Sequence, residues 1–188
     1  MTEVAAAPIP APIKTERLTL ESMSVGYLKA LLLEDVDAAS RDIGAITPMW
    51  LAKEMKHFAL YRLGQLTADP SLREWLGRGM VLVDEDGQRR VVGSIGFHGP
   101  PDEDGRLEIG YSVDPPYRRR GFAREAAQAM YDWASRKHGI SKFVASVAPD
   151  NLPSLNLIEE HGYVQIGEQM DEVDGLEYVF EMSWPKPA

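Results

Sequence analysis

Cysteine is missing from all 188 residues, which excludes disulfide frameworks, thiolate metal sites and cysteine nucleophiles together. No apolar run approaches the roughly 20 residues a membrane-spanning helix needs. Basic side chains are in deficit, 20 Lys and Arg against 29 Asp and Glu, for a net charge of −9. A surface of that sign repels phosphate backbones, so no nucleic-acid partner is expected. The same charge favours cationic or amine-bearing partners, or serves solubility alone. The first residues lack a basic segment followed by an apolar stretch, so no secretory signal is expected and a cytoplasmic protein is the default. Neither G-x-x-x-x-G-K-[ST] nor a G-x-G-x-x-G after a strand occurs, which excludes the P-loop and the dinucleotide fingerprint. No H-E-x-x-H or comparable spacing links the four histidines, so no metal is expected.

What is present is ordinary for a globular chain: 44% hydrophobic, 26% charged and 9% aromatic residues. The length suits one domain. Residues 1–14 are Ala- and Pro-rich, with Pro8, Pro10 and Pro12 alternating, and read as a disordered arm ahead of a domain over 15–188. Thr15 to Ser22 alternates polar and apolar as a strand does, and Ser24 then caps a helix with Tyr27, Leu28, Leu31 and Leu32 on one face. Thr47-Pro48 is expected to open a second helix running through Leu63, with Thr47 as its cap. A short helix is expected over Pro70 to Gly77.

The middle of the chain changes character. Met80 to Asp84, Val91 to Phe97 and Arg106 to Val113 read as a three-stranded meander, turned at Asp86-Gly87 and over Gly99 to Gly105. Gly93 and Gly96 fall inside a strand pattern and mark a bend rather than a cradle. Pro115-Pro116 ends the third strand. From Gly121 the period becomes helical, with Phe122, Ala126, Met130, Trp133 and Ala134 in one stripe and a stop at Gly139. A strand over Lys142 to Val147, a helix from Asn151 to Gly162, and a hairpin of Tyr163–Gln169 with Leu176–Trp184 around Asp174-Gly175 complete an α/β pattern.

The sharpest local feature is Arg118-Arg119-Arg120-Gly121-Phe122-Ala123, between a strand and a helix. The partial positive charge of a helix N-terminus disfavours three arginines there unless an anion is bound. Free backbone N–H groups, a glycine allowing close approach and guanidinium donors suit a phosphate or pyrophosphate. The alternative is a solvated basic patch.

Arg118-x-x-Gly121-x-Ala123 matches the R/Q-x-x-G-x-G/A signature of the GCN5-related N-acetyltransferases. Thr15 to Leu20 resembles that family's opening strand, Leu107 to Val113 its central strand, and Asn151-x-x-Ser154 with His161-Gly162-Tyr163 its second conserved block. The resemblance covers most of Thr15 to Trp184, with Ala38 to Gly79 matching only in outline. It is nearest to the ribosomal-protein-alanine acetyltransferase-like subgroup. It implies a single α/β domain with a mixed, mostly antiparallel central sheet flanked by helices, whose central strands splay apart around the pantetheine arm of acetyl-CoA. It further implies that Tyr111, Ser112 and Val113 line the pantetheine through their backbone. Arg118, Arg119, Arg120, Gly121, Phe122 and Ala123 would hold the pyrophosphate, with Arg119 or Arg120 also open to the ribose phosphate. Asn151 and Ser154 would meet the pantetheine arm; by itself Asn151 is equally a helix cap.

Amide formation from a thioester needs a neutral amine, and hence a base. Glu108 is the candidate: its strand turns Leu107, Ile109, Tyr111 and Val113 to one face and Glu108, Gly110 and Ser112 to the other, leaving room beside the carboxylate for a ligand. An exposed or ion-paired strand residue is the alternative. His98, at a strand end, is either a second base or structural. Many family members place a tyrosine where Ile158 stands, and isoleucine donates no proton, so the thiolate would leave unassisted or with help from Ser154 or water. Asp102-Glu103-Asp104 is a solvated loop or a collar for a cationic acceptor. Trp50 and Trp75 are core, or wall the acceptor site. The expected function is acetyl transfer from acetyl-CoA to a primary amine, on a protein N-terminus or a small molecule, by a monomer or homodimer. A non-catalytic acyl-CoA-binding module is the alternative.

Overall fold

A computed structural model describes residues 9–171 and 175–185, which form two compact units. One contains the chain up to Gly96 with Tyr111–Ala126, the other Phe97–Gly110 with the chain from Ala127 onward. The described strands are β1 (Ile13–Lys14), β2 (Leu18–Ser22), β3 (Arg78–Val83), β4 (Arg89–Phe97), β5 (Arg106–Val113), β6 (Lys142–Val147), β7 (Val164–Asp171) and β8 (Gly175–Ser183). The helices are α1 (Val25–Leu32), α2 (Val36–Ile43), α3 (Met49–Glu54), α4 (Lys56–Ala68), α5 (Phe122–His138) and α6 (Leu152–His161). Among the described residues no helix is long and apolar enough to cross a membrane.

In the first unit β1 to β4 pair in chain order, each antiparallel to the next. Ile13 and Lys14, the last two residues assigned to the arm, pair with Leu20 and Thr19; residues 1–8 lie outside the described chain. Met80 pairs with Gly93 while Val81 pairs with Val91, so Val92 is the extra residue of a β-bulge, the bend expected at this glycine. A Cβ on Gly93 would come within 2.3 Å of the Ser112 carbonyl oxygen, so only glycine lets the last residues of β5 lie this close.

Helices α1 to α4 bury Tyr27, Leu28, Leu31, Leu51, Ala52 and Ala59 in one core with Val81 and Val91. Ser24 caps α1 as expected, its hydroxyl accepting from the Tyr27 N–H at 2.8 Å. Thr47 does not cap a helix. Pro48 is extended (ψ 145°) and α3 starts at Met49, so Thr47 stands one residue too early, and its buried hydroxyl lies 3.4 Å from that of Tyr27. Burial pushes the Tyr27 phenol well above its ordinary range. The expected single helix is broken at Met55, yet Leu51, Met55, Ala59 and Leu66 are all buried, so the apolar stripe runs on across the break. Helix α2 was not expected: it buries only Ala39 and Ile43, too little apolar face to show a period, although Asp35 and Gly44 are a regular cap and stop.

The corner before β2 is tied to α5. Glu125 accepts from the Thr15 hydroxyl, the Arg17 N–H (2.7 Å) and Arg17 Nε (2.6 Å). Burial alone would raise this carboxyl, but those donors hold it below the usual glutamate range. Its contribution to stability is therefore complete above the unfolded-state pKa and is lost as pH falls through the lower folded-state value. Glu125→Gln is expected to lower stability by about 1–2 kcal/mol at pH 7 and to flatten the acid limb. Thermal unfolding midpoints from pH 7 down to pH 3 check this; a parallel acid limb in the variant would refute it.

The second unit is built on β6, β8 and β7. β8 lies antiparallel to both β6 and β7, and the tip of that hairpin falls outside the described residues. Its core is aromatic: the Phe143 ring lies 4.7 Å from Tyr131 and 6.0 Å from Phe97, and the Tyr163 hydroxyl donates to that of Tyr131 at 2.9 Å. Along α5 Phe122, Ala126, Met130 and Ala134 are buried as expected, whereas Trp133 is only half-buried and stacks on Phe97 from the margin. β5 runs parallel to β6 only from Arg106–Lys142 to Glu108–Val144, although both strands continue. The ladder thus ends at Glu108–Val144, within the stretch of central strand where a splay was expected. The pattern is the expected mixed, mostly antiparallel α/β fold.

Candidate active site

The site grows out of that short ladder. Phe143, Ala145 and Val147 turn one face of β6 into the core, which leaves Val144 and Ser146 on the other. Glu108 pairs with Val144, the last pair of the ladder, so Ser146 stands one step further along the same face of β6. On β8 Val179 pairs with Ser146, and Glu177 pairs across to Gln169 on β7. Glu108, Val144, Ser146, Gln169 and Val179 line a cavity of about 360 Å³ together with His98 and Arg106.

Glu108 is held at both oxygens. The Ser146 hydroxyl donates to Oε1 at 2.7 Å, and His98 Nδ1 lies 3.4 Å from Oε2. The hydrogen bond from the His98 N–H to the Glu108 carbonyl (2.8 Å) also keeps the two side chains together. Half of the His98 side chain is exposed, so it faces water as well as the carboxylate. The room expected beside Gly110 for a ligand is occupied instead by this imidazole: a Cβ on Gly110 would stand 2.7 Å from His98 Nε2. Gly110→Ala is therefore expected to swing His98 away from Glu108 and to cut turnover about as much as His98→Ala does, roughly 10-fold or more. Steady-state rates of the two variants and of their combination check this; independent, multiplying losses would refute it.

Arg106 does not add free positive charge to the cavity. Its guanidinium bonds Asp102 (2.8 Å) and Asp104 (3.1 Å) and lies 3.6 Å from Glu181. Asp102 also accepts from the N–H groups of Asp104 and Arg106, and these contacts, the Arg106 N–H foremost, hold its carboxyl below the usual range. Two of the three loop carboxylates, Asp102 and Asp104, are therefore taken up by Arg106.

The arginine turn belongs to the first unit. Arg119 (φ 60°) and Gly121 (φ 80°) both take left-handed conformations, so the chain folds back just before α5. Arg17 braces it: Nη1 donates to the Arg120 carbonyl at 2.9 Å, and the guanidinium lies 4.6 Å over the Phe122 ring. Arg118 Nε donates to the Val113 carbonyl at 2.8 Å and its guanidinium covers the Trp50 ring, linking the turn to the end of β5. Arg118, Arg119 and Arg120 are exposed, and Phe122 is buried.

Residues 17–164 match the family model of the acetyltransferase (GNAT) domain. The chain belongs to the GNAT acetyltransferase family. It is 37% identical to the uncharacterised N-acetyltransferase YjdG of Bacillus subtilis, over 81% of this chain and 89% of that one. Among solved structures it resembles the ribosomal-protein-S5-alanine acetyltransferase of Vibrio fischeri (TM-score 0.60, 17% identity, 94% and 100% of the two chains). It also resembles the microcin C7 self-immunity acetyltransferase MccE, solved with acetyl-CoA and AMP (TM-score 0.63, 14% identity, 96% and 99%). At those identities the structural likeness is one of fold.

The other candidates of this GNAT chain fall apart from the cavity lining. Asn151 caps α6, its side-chain oxygen accepting from the Ser154 N–H at 3.3 Å. Neither Asn151 nor Ser154 lines the cavity. Tyr111, Ser112 and Val113 are the last residues of β5, beyond the point where its ladder with β6 stops. Ile158 is 4% exposed and serves packing. Trp50 packs on the helical core under Arg118, and Trp75 is half-buried. His161 is structural, with Nδ1 2.8 Å from the Leu157 carbonyl. Ser146, Gln169 and Arg17 escaped the sequence reading. Alternation along β6 separates Ser146 from the core face, but its neighbours are set by pairings across the sheet.

Proposed function

We propose that this GNAT chain moves the acetyl group of acetyl-CoA to a primary amine, with Glu108 as the base. The observation that carries the reading is the Glu108 carboxylate in its cavity, one oxygen bonded by Ser146 and the other beside a half-exposed His98. An aliphatic amine arrives near neutral pH as ammonium, which has no lone pair to attack with. Glu108 Oε2 takes one N–H proton, and His98 carries it on to water. The amine nitrogen then bonds to the thioester carbon, the C–S bond breaks, and the nitrogen gives up a second proton while the thiolate gains one. Amide, CoA thiol and one released proton balance the reaction.

Following the family resemblance, Arg118 to Ala123 bind the pyrophosphate, and Tyr111, Ser112, Val113 and Asn151 hold the pantetheine arm. Ser154 or a water protonates the thiolate. The acceptor is a small amine or the first residue of a protein, which matches a cavity of about 360 Å³. Calorimetric titration with acetyl-CoA, with dephospho-CoA and ATP as controls, tests the donor half; saturable binding of acetyl-CoA in preference to ATP is expected. Thiol release on adding amines tests the acceptor half. The buried Ile158 favours a second reading, a non-catalytic acyl-CoA-binding module. That reading is the correct one if acetyl-CoA binds and no amine, peptide N-terminus or small molecule, releases thiol.

A further inference from the structure

We infer that Ser146 and Gln169 are positioning residues that select which oxygen of Glu108 takes the amine proton; this rests on the reading of Glu108 as the base. Gln169 Nε2 lies 3.2 Å from Ser146 Oγ and 3.1 Å from Glu177 Oε2, and Ser146 Oγ lies 2.7 Å from Glu108 Oε1. An amide nitrogen only donates, so the Ser146 oxygen is the acceptor in its contact with Gln169. The one hydroxyl proton of Ser146 is then directed to Glu108 Oε1. That bond favours the charged carboxylate and occupies Oε1, which leaves Oε2, beside His98, to receive the proton.

Four strands meet in this chain of contacts. Glu108 stands on β5, Ser146 on β6, and Gln169 on β7 opposite Glu177 of β8. The register that pairs Glu108 with Val144 and Gln169 with Glu177 places the groups. Among the described residues, the charged groups of the cavity and those bonded to its lining include His98, Arg106 and Asp102, Glu181 and Asp104 paired with Arg106, and Glu177 paired with Gln169. A change at Ser146 leaves every one of them in place.

The experiment compares the full-length chain with its Ser146→Ala, Ser146→Thr, Glu108→Gln and Ser146→Ala/Glu108→Gln variants, by pH–rate profile and separate kcat and KM values. Loss of the hydroxyl is expected to lower kcat about 10-fold at neutral pH and to move the acid limb of kcat up by about one pH unit. KM for acetyl-CoA stays the same. Ser146→Thr, which keeps a hydroxyl on a strand, restores both. In the Glu108→Gln background the alanine substitution adds nothing further. If Glu108→Gln is slow but Ser146→Ala keeps the wild-type kcat and acid limb, the positioning role is overturned while the base stands. If Glu108→Gln turns over normally, the base itself is wrong. An equal loss in the alanine and threonine variants, with lowered unfolding midpoints in both, would mark Ser146 as structural only and would also overturn the inference.

Discussion

Glu108→Gln is expected to lower kcat by about 10²- to 10⁴-fold, the range general-base catalysis contributes, while acetyl-CoA affinity is unchanged. Glutamine keeps the shape and still accepts a hydrogen bond from Ser146, so the substitution removes the proton acceptor and little else. The residual rate should rise with pH, because the deprotonated fraction of the free amine then supplies the nucleophile without help. Thiol release followed from pH 6 to pH 10, with calorimetric affinity measured alongside, decides the matter. Wild-type turnover with intact affinity would remove Glu108 from the chemistry and leave the His98 contact without a catalytic reason.

Gly121→Val is expected to abolish acetyl-CoA binding, or to weaken it at least about tenfold. Gly121 sits at φ 80°, where a β-branched side chain meets its own backbone at a cost of about 1–2 kcal/mol. An added Cβ would also come within 3.3 Å of Arg17 Nη2, the guanidinium that braces the turn through the Arg120 carbonyl. Relief of that strain opens the turn and turns its N–H groups away from a pyrophosphate. Calorimetry reads the affinity and thermal unfolding reports whether the unit has stayed folded. Normal affinity in a folded variant would mean that the pyrophosphate is bound elsewhere. The Glu108 and Gly121 experiments separate cleanly, since the first should cost turnover without binding and the second binding itself.

Where a physical rule acts along the chain, the sequence is readable. β5 falls on the alternating stretch expected of it and β6 on the short strand expected over Lys142 to Val147, Ser24 and Asn151 cap the helices they precede, and Gly162 stops α6 in a left-handed conformation. Glu108 and His98 could be named because strand alternation and chemistry single out a carboxylate and an imidazole. The arginine turn could be named because three cations before a helix oppose the local field. The same local rules overreach at Thr47, where one extended proline shifts the helix start. They fall short at α2, whose two buried side chains carry no period.

What the tertiary structure alone decided is which of these groups meet. Arg17 reaches Arg120 and Glu125 across more than a hundred residues, and Gln169 reaches Ser146 from another strand. The imidazole of His98 fills the space beside Gly110 because the His98 N–H bonds the Glu108 carbonyl on the facing chain. Propensity, capping and alternation are short-range and act within an element, so the order of residues determines the elements and the chemistry each can offer. Register and strand order are set by burial summed over the whole fold, and a shift of one residue would turn every side chain of a strand to the opposite face. The components of the site are therefore written in the sequence, and their assembly is a property of the folded sheet.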